Sequence, residues 1–383
     1  MFIKKVFLII GIIITVYTLS IVFVNGLYLK KTYQDAYKYD NILKYDDVRK
    51  QVISFGVLAP SSHNLQPWKI VLDEDSSKFH LYIDESRTIP FVDSNYNQMV
   101  ISSGTFLSYI EEGAKNLGYT ASFDLFPNGT LPDNPSIDDI KSTIIATISI
   151  TENNSSNIYD FDAFSSSTVR LPYTEDIVTS ETKNAFKAIN TLSNVSFDFI
   201  DDNELDDFKS LLIEGVRIES TSKEAMTETD NLFRYSNRDK VNNPFGLSLH
   251  SGSTNSFMRI NMEFFSKLMP LSIEAQGEFW LKSETVSINS SSAFGIITGD
   301  SSRMSQLETG ILFGKISLYA SSISIKVQPI VQVTESYEDM YNQYTLAKTQ
   351  YGNGENIYMI FRMGYCNDEV SQGIRFTAND IIS

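Results

Sequence analysis

Strands that arrive in pairs, a helical run between the pairs, and one long uncharged stretch at the start predict an α+β fold behind a membrane-spanning helix. A doubly wound parallel sheet would alternate single strands with helices. Here the order as far as Ile150 is helix, two strands, helix, two strands.

The uncharged stretch runs from Val6 to Leu29. At about 1.5 Å per residue it gives roughly 36 Å of helix, enough to cross the hydrocarbon core of a bilayer. A cleaved signal peptide is the rival, but its apolar core would be shorter and a small-x-small site would follow it. Val24-Asn25-Gly26 is a poor version of such a site, so an uncleaved anchor over residues 1–30 is the expectation. Lys4 and Lys5 favour an internal N-terminus, while Lys30, Lys31 and Lys38 oppose it. A chain with one N-terminal anchor usually exports its body, which places the body on the extracytoplasmic side.

Asp46 and Asp47 start the first helix of the body, since acids favour that end. Val48, Val52, Phe55 and Ala59 recur on it at helical spacing, and Pro60 stops it. Trp68 to Leu72 reads as a strand. Lys78 to Ile83 alternates, with Phe79, Leu81 and Ile83 on one face and the solvated His80 on the other. Asn97 to Leu117 is a long helix closed by Gly118. Tyr119 to Phe126 and Thr143 to Ile150 are strands, and Asn153 to Asn157 is a polar linker. A helix follows at Thr179 to Ile189, and a long one from Glu204 to about Thr229, capped by Asn203. Asn231 to Asn255 has the composition of a loop. Glu263 to Leu271 is helical and Ala293 to Thr298 a buried strand. Met304 to Ser322 is a helix whose Gly310 and Gly314 permit close approach of another helix or of a ring system. Val327 to Val331 and Ile357 to Met363 complete the strands.

The chain has 383 residues, 42% of them hydrophobic, and a formal net charge of −16. Its first 31 residues hold four lysines and no acid, so the body is more acidic still. Such a body excludes a nucleic-acid surface. The single cysteine, Cys366, excludes an internal disulfide and a zinc knuckle. The three histidines stand far apart, so a His-rich metal site is not expected. No G-x-S-x-G elbow, P-loop or G-x-G-x-x-G turn suggests hydrolase, NTPase or Rossmann chemistry.

The chemistry concentrates in Ala59-Pro60-Ser61-Ser62-His63-Asn64-Leu65-Gln66-Pro67-Trp68. Two hydroxyls, an imidazole and two carboxamides crowd one loop between a helix and a strand. They suit either a capped turn or hydrogen bonding to a planar polar ligand. The segment resembles the A-P-S-x-x-N-x-Q-P-W stretch of the nitroreductase family of FMN-dependent oxidoreductases. Arg87-Thr88-Ile89-Pro90, Asp93 and Gln98 to Gly104 are similar to a further stretch of the Acg-type branch, whose chains carry two nitroreductase-like halves. Thr168, Arg170, Pro172 and Tyr173 resemble its R-x-T-x-R-x-P-Y segment, with Ser166 in place of the first arginine. Phe361-Arg362-Met363-Gly364-Tyr365 is similar to its R-x-G-Y end, and Arg375 stands where relatives keep arginines.

The resemblance implies a sandwich of mostly antiparallel sheet and helices, with halves at 31–157 and 158–383. It implies an FMN site that Pro60, Ser61, Ser62, Asn64 and Gln66 share with Arg170 and Arg375 as phosphate holders, although Ser166 puts FMN in doubt. NAD(P)H would be co-substrate and a small nitro compound or quinone the electron acceptor. No side-chain acid or base is obligatory, because the flavin carries the reaction. With loop and Arg170 in different halves, one chain completes the site as a monomer with an internal pseudo-dimer. A flavinless or merely flavin-binding membrane module, for sequestering or sensing, is the alternative. A structural cell-surface domain is a third reading.

Overall fold

The computed structural model describes residues 2–153, 159–165, 167–252 and 255–383. The linker expected at Asn153 to Asn157 therefore lies, beyond Asn153, outside the described residues, as does Ser166. The helices of eight or more residues are α1 (Phe2–Asn25), α2 (Val48–Gly56), α3 (Asn97–Asn116), α4 (Ser180–Lys187), α5 (Leu205–Thr221), α6 (Lys223–Asn231), α7 (Ser256–Leu268), α8 (Ile273–Asn289), α9 (Arg303–Ser322) and α10 (Tyr341–Tyr351). The strands are β1 (Trp68–Leu72), β2 (Lys78–Ile83), β3 (Tyr119–Leu125), β4 (Ala146–Glu152), β5 (Val195–Phe199), β6 (Ala293–Gly299), β7 (Lys326–Pro329) and β8 (Asn356–Gly364).

Two four-stranded sheets form, and they repeat one plan. The first runs β1-β2-β4-β3 and the second β5-β6-β8-β7, with every pair antiparallel. In each, a short capped helix precedes the first strand and a 20-residue helix follows the second. Asp47 caps α2 by accepting from Arg49 N at 2.9 Å, and Thr179 caps α4 by accepting from Thr182 N at 3.2 Å. Each cap satisfies a backbone donor that the first turn leaves unpaired.

The long helices α3 and α9 are buried along most of their length and pack on each other. Glycine makes that approach possible, in a reciprocal pattern. A Cβ on Gly104 would stand 2.8 Å from Gly310 Cα and nearer still to Leu307 O. A Cβ on Gly310 would meet Gly104 Cα and Ile101 O in the same way. Each glycine thus faces the carbonyl three residues before its counterpart, as a local two-fold axis requires. A salt bridge from Lys315 Nζ to Glu111 Oε2, 2.9 Å, ties the same pair. Of the two uses that Gly310 admits, helix packing is the one realised.

Several elements differ from the sequence expectation. The apolar helix covers Phe2–Asn25 and stops at Gly26, whose φ of 63° is left-handed, so Leu27 to Leu29 lie beyond it. The helix expected from Glu204 to Thr229 is two, because Ser222 leaves helical geometry and caps the second by accepting from Ala225 N at 3.3 Å. The loop at Asn231 to Asn255 holds a turn of helix over Asn237–Asn242, closed by a Ser236–Asp239 capping box. The helix at Glu263 to Leu271 begins earlier, at Ser256, under an Asn255 cap. The helices α8 and α10 carry no strong apolar stripe and were not expected.

Candidate functional site

The loop leaving α2 is held from several sides. Pro60 O accepts from Thr105 Oγ1 at 2.5 Å, and Ser62 N donates to Ser102 Oγ at 3.1 Å. Trp68 Nε1 donates to Ser102 O at 3.0 Å. Arg87 donates to Gln66 O at 3.0 Å and to Trp68 O at 2.7 Å, with its guanidinium over the Phe376 ring. Asp93 caps α3 by accepting from Gln98 N and Met99 N. These bonds fix an unusual backbone: His63, Asn64 and Gln66 hold φ of 48°, 55° and 50°. Asparagine and histidine visit that region more readily than most side chains, but glutamine is strained there. Strain of this kind persists only where the surroundings over-determine it, and here they do.

The side chains reach outward to two distant segments. Asn64 Nδ2 donates to Gly246 O and Ile374 O, both at 3.0 Å, and its Oδ1 accepts from Arg375. Gln66 is fully buried; its amide nitrogen donates to Pro244 O at 2.9 Å and its oxygen accepts from Phe376 N at 2.9 Å. Ser61 Oγ accepts from Gln66 N at 2.9 Å, and Ser62 Oγ meets Gln98 and His63. Residues 244–246 and 374–376 are thereby sewn onto the loop.

Arg170 arrives through the same segment. Its backbone N donates to Ser251 O at 2.9 Å, and the neighbouring His250 lies beside Gly373 and Arg375. Fully buried Arg362 holds the Arg170 strand by donating to Val169 O and Leu171 O, so the Arg-x-Gly-Tyr end is a clamp. The Arg170 guanidinium stacks on Trp280 and pairs at 3.1 Å with Glu284, which is wholly buried. Trp280 in turn donates to Glu219, a carboxyl that burial pushes up to about 7. Asn64, Arg170 and Arg375 therefore share one region of the molecule.

The field there is positive. Desolvation first, then the charge of Arg170, holds His63 down at about 4. Desolvation and then Arg375, Lys240, Arg170 and Arg259 hold His250 at about 3. Both rings are neutral at physiological pH. Two buried donors beside the loop, Arg375 Nε and Gln98 Nε2, have no partner. An unpaired buried donor is costly, and an anionic ligand with acceptor atoms would satisfy it. Both orphans lack the acceptor that a bound anion or a polar ring edge would supply. The carboxamides of Asn64 and Gln66 and the guanidinium of Arg170 are otherwise engaged, by residues 244–246, by residues 374–376 and by Glu284.

His250, Glu284, Trp280 and Gln98 were missed as part of this region. Gln98 and its helix were legible in the sequence. The other three lie in long segments whose spacing carries no signal for a site.

No family profile matches the chain. An uncharacterized protein of Mycobacterium tuberculosis is 31% identical over 86 residues, 22% of this chain and 25% of that protein. PigM of Serratia sp. strain ATCC 39006, named as an NAD(P)H nitroreductase, is 32% identical over 75 residues, 20% of this chain and 21% of its own length. The acg protein of M. tuberculosis, likewise named as an NAD(P)H nitroreductase, is 28% identical over 89 residues, 23% and 25% of the two chains. Over these segments the chain is similar to proteins named as nitroreductases. It spans about a quarter or less of the length of these curated relatives. A crystal structure described as a nitroreductase from Anabaena variabilis aligns over 85% of this chain and 91% of that one, with 11% identity and a TM-score of 0.33. That level of likeness is too low to define a fold. The nitroreductase kinship rests on the sequence relatives and on the Ala59–Trp68 loop.

Proposed function

We propose that the chain is a membrane-anchored, FMN-dependent oxidoreductase of nitroreductase type, passing electrons from NAD(P)H to a small nitro compound or quinone. The observation that carries this reading is that Arg375 bonds the Asn64 loop, with His250 and Arg170 in the neighbouring segments, beside buried donors that have no partner. Two relatives named NAD(P)H nitroreductase support the donor. Bound FMN would supply hydride acceptance and its return to the acceptor. The protein's part is to hold and orient. Arg375 and Arg170 supply positive charge for a phosphate, and Ser61, Ser62, Asn64 and Gln98 supply donors and acceptors for the ring and ribityl chain. Neutral His63 and His250 keep the site free of a competing acid. The apolar Phe2–Asn25 tethers the body to a bilayer, with the body on the extracytoplasmic side. One polypeptide provides both halves around the α3–α9 pair, which supports a monomer.

The test is direct. The detergent-solubilised full chain, reconstituted with FMN and passed through gel filtration, retains flavin absorbance and oxidises NAD(P)H when a quinone or nitroarene is added. Elution without flavin defeats the proposal.

One observation favours a second reading, a non-catalytic flavin-binding or sensing module. Arg170 is closed against Glu284, and Asn64 against Gly246 and Ile374, as in a site shut by its own segment. Flavin retained without NAD(P)H oxidation would select it.

A further inference from the structure

The helix α7 wears its polarity inside out. Arg259, Glu263 and Lys267 recur four apart, and each finds a partner in the body, with Glu263 buried, Arg259 half-buried and Lys267 at the exposed edge. There Arg259 donates to Ser371 Oγ at 2.8 Å, Glu263 pairs with Lys240, and Lys267 pairs with Asp239 at 2.9 Å. Met258, Met262, Phe265 and Met269 follow helical spacing on another face and are exposed. Phe257, at 74% exposure, and Leu268 widen this face. A soluble helix buries its apolar stripe and exposes its charges, and a patch this continuous marks an interaction surface.

Its neighbour tells what covers it. α7 packs against the last two turns of α1: Phe264 meets the Tyr17 ring edge-on at 5.8 Å, Tyr17 bonds Asn261, and Asn25 Nδ2 donates to Ile260 O at 2.8 Å. Tyr17 to Asn25 covers about 12 Å of the helix axis. That is the end of α1 from which the body emerges. If α1 crosses a bilayer, α7 is held at the depth where headgroups give way to acyl chains. An amphipathic helix there seats its apolar face about 5–10 Å into that boundary.

We propose that α7 is a second membrane element, lying in the interfacial layer of the bilayer with Met258, Met262, Phe265 and Met269 among the lipids. This rests on the reading of α1 as a membrane anchor. α7 also pairs with Lys240 and bonds Ser371, which stand a few residues ahead of the Pro244–Gly246 and Ile374–Phe376 stretches that hold the Asn64 loop.

The experiment uses the full chain with Cys366→Ser in lipid nanodiscs and one new cysteine, Ile10→Cys or Phe265→Cys, carrying an environment-sensitive fluorophore. Lipid spin-labelled near the glycerol backbone is expected to quench the Phe265 site at least about two-fold, and aqueous iodide to leave it unchanged. Lipid with the spin label deep in the acyl chain does the same at Ile10. Lipid quenching at Ile10 with iodide quenching at Phe265 overturns the proposal and leaves the anchor intact. Iodide quenching at both sites removes the anchor itself. A Phe265 site reached by neither quencher means that a second protein copy covers α7, and this too overturns the proposal.

Discussion

The two halves share a plan and differ most in one connection. In the first, β1 turns into β2 through the tight bend at Asp73 to Ser77, stitched by Asp75 accepting from Ser77 N at 2.9 Å. In the second, residues 200–292 stand between β5 and β6, and they carry α5, α6, the Asn64-binding segment, α7 and α8. The strained loop belongs to the first half. Before β5 the corresponding turn at 189–194 holds no left-handed residue. The repeated scaffold supplies rigidity, and the features that look functional are where the repeat is broken.

Four predictions test that contrast. The largest effect is at the axis of the repeat. Gly310→Ala places a methyl against Ile101 O, and its cost is about 3 kcal/mol or more. Gly252→Ala, with nothing near its Cβ, is neutral. Urea unfolding of the solubilised chain reads both, and equal midpoints would mean that the helix contact is not tight.

Next comes the inserted segment. Glu284→Gln removes a buried charge that Arg170 and Gln328 share, at a cost of about 2–3 kcal/mol. If Arg170 is a phosphate holder, the same change raises FMN retention on gel filtration, and an unchanged or lower retention makes the Arg170–Glu284 pair purely structural.

The pH dependence sets the buried histidines of the loop and of the inserted segment against a buried carboxyl of the scaffold. His63 and His250 are held below 6.5 in the folded state, so their stability is complete above 6.5 and lost as pH falls through about 4 and 3. Asp93, raised by burial to about 7, acts oppositely: its contribution is complete below 3.8 and lost as pH rises through about 7. His250→Gln in an Asp93→Asn background therefore shows a flatter loss of urea midpoint on acidification than Asp93→Asn alone. An unaltered acid limb would mean that His250 is charged in the fold.

The smallest effects are at the matching caps. Asp47→Ala costs about 1–2 kcal/mol, since Asp47 also pairs with Arg49, and Thr179→Ala about 1 kcal/mol or less. Equal losses would show that the Arg49 pair contributes nothing.

Much of the scaffold was legible. Trp68–Leu72 and Lys78–Ile83 follow from alternation alone, because a half-buried strand has a period of two. α3 and α9 follow from length and apolar content. The break at Ser222 was hidden, since a serine cap inside a helical run looks like any helical serine until the backbone turns. α8 and α10 were hidden because each packs on α5 through scattered residues rather than a stripe. At the site, the loop and the place of Arg170 and Arg375 were visible in the sequence, but not their partners.

The sequence by itself determined the strand and helix periods, the apolar length of α1 and the chemistry of the Ala59–Trp68 loop, because these are local properties of spacing and residue type. Only the tertiary structure decided that Gly104 and Gly310 face each other, that Asn64 bonds residues 246 and 374, that Arg170 is closed on Glu284, and that α7 turns its methionines outward. Each of these depends on which distant segments share a neighbourhood, and contacts between residues far apart along the chain leave no period to read.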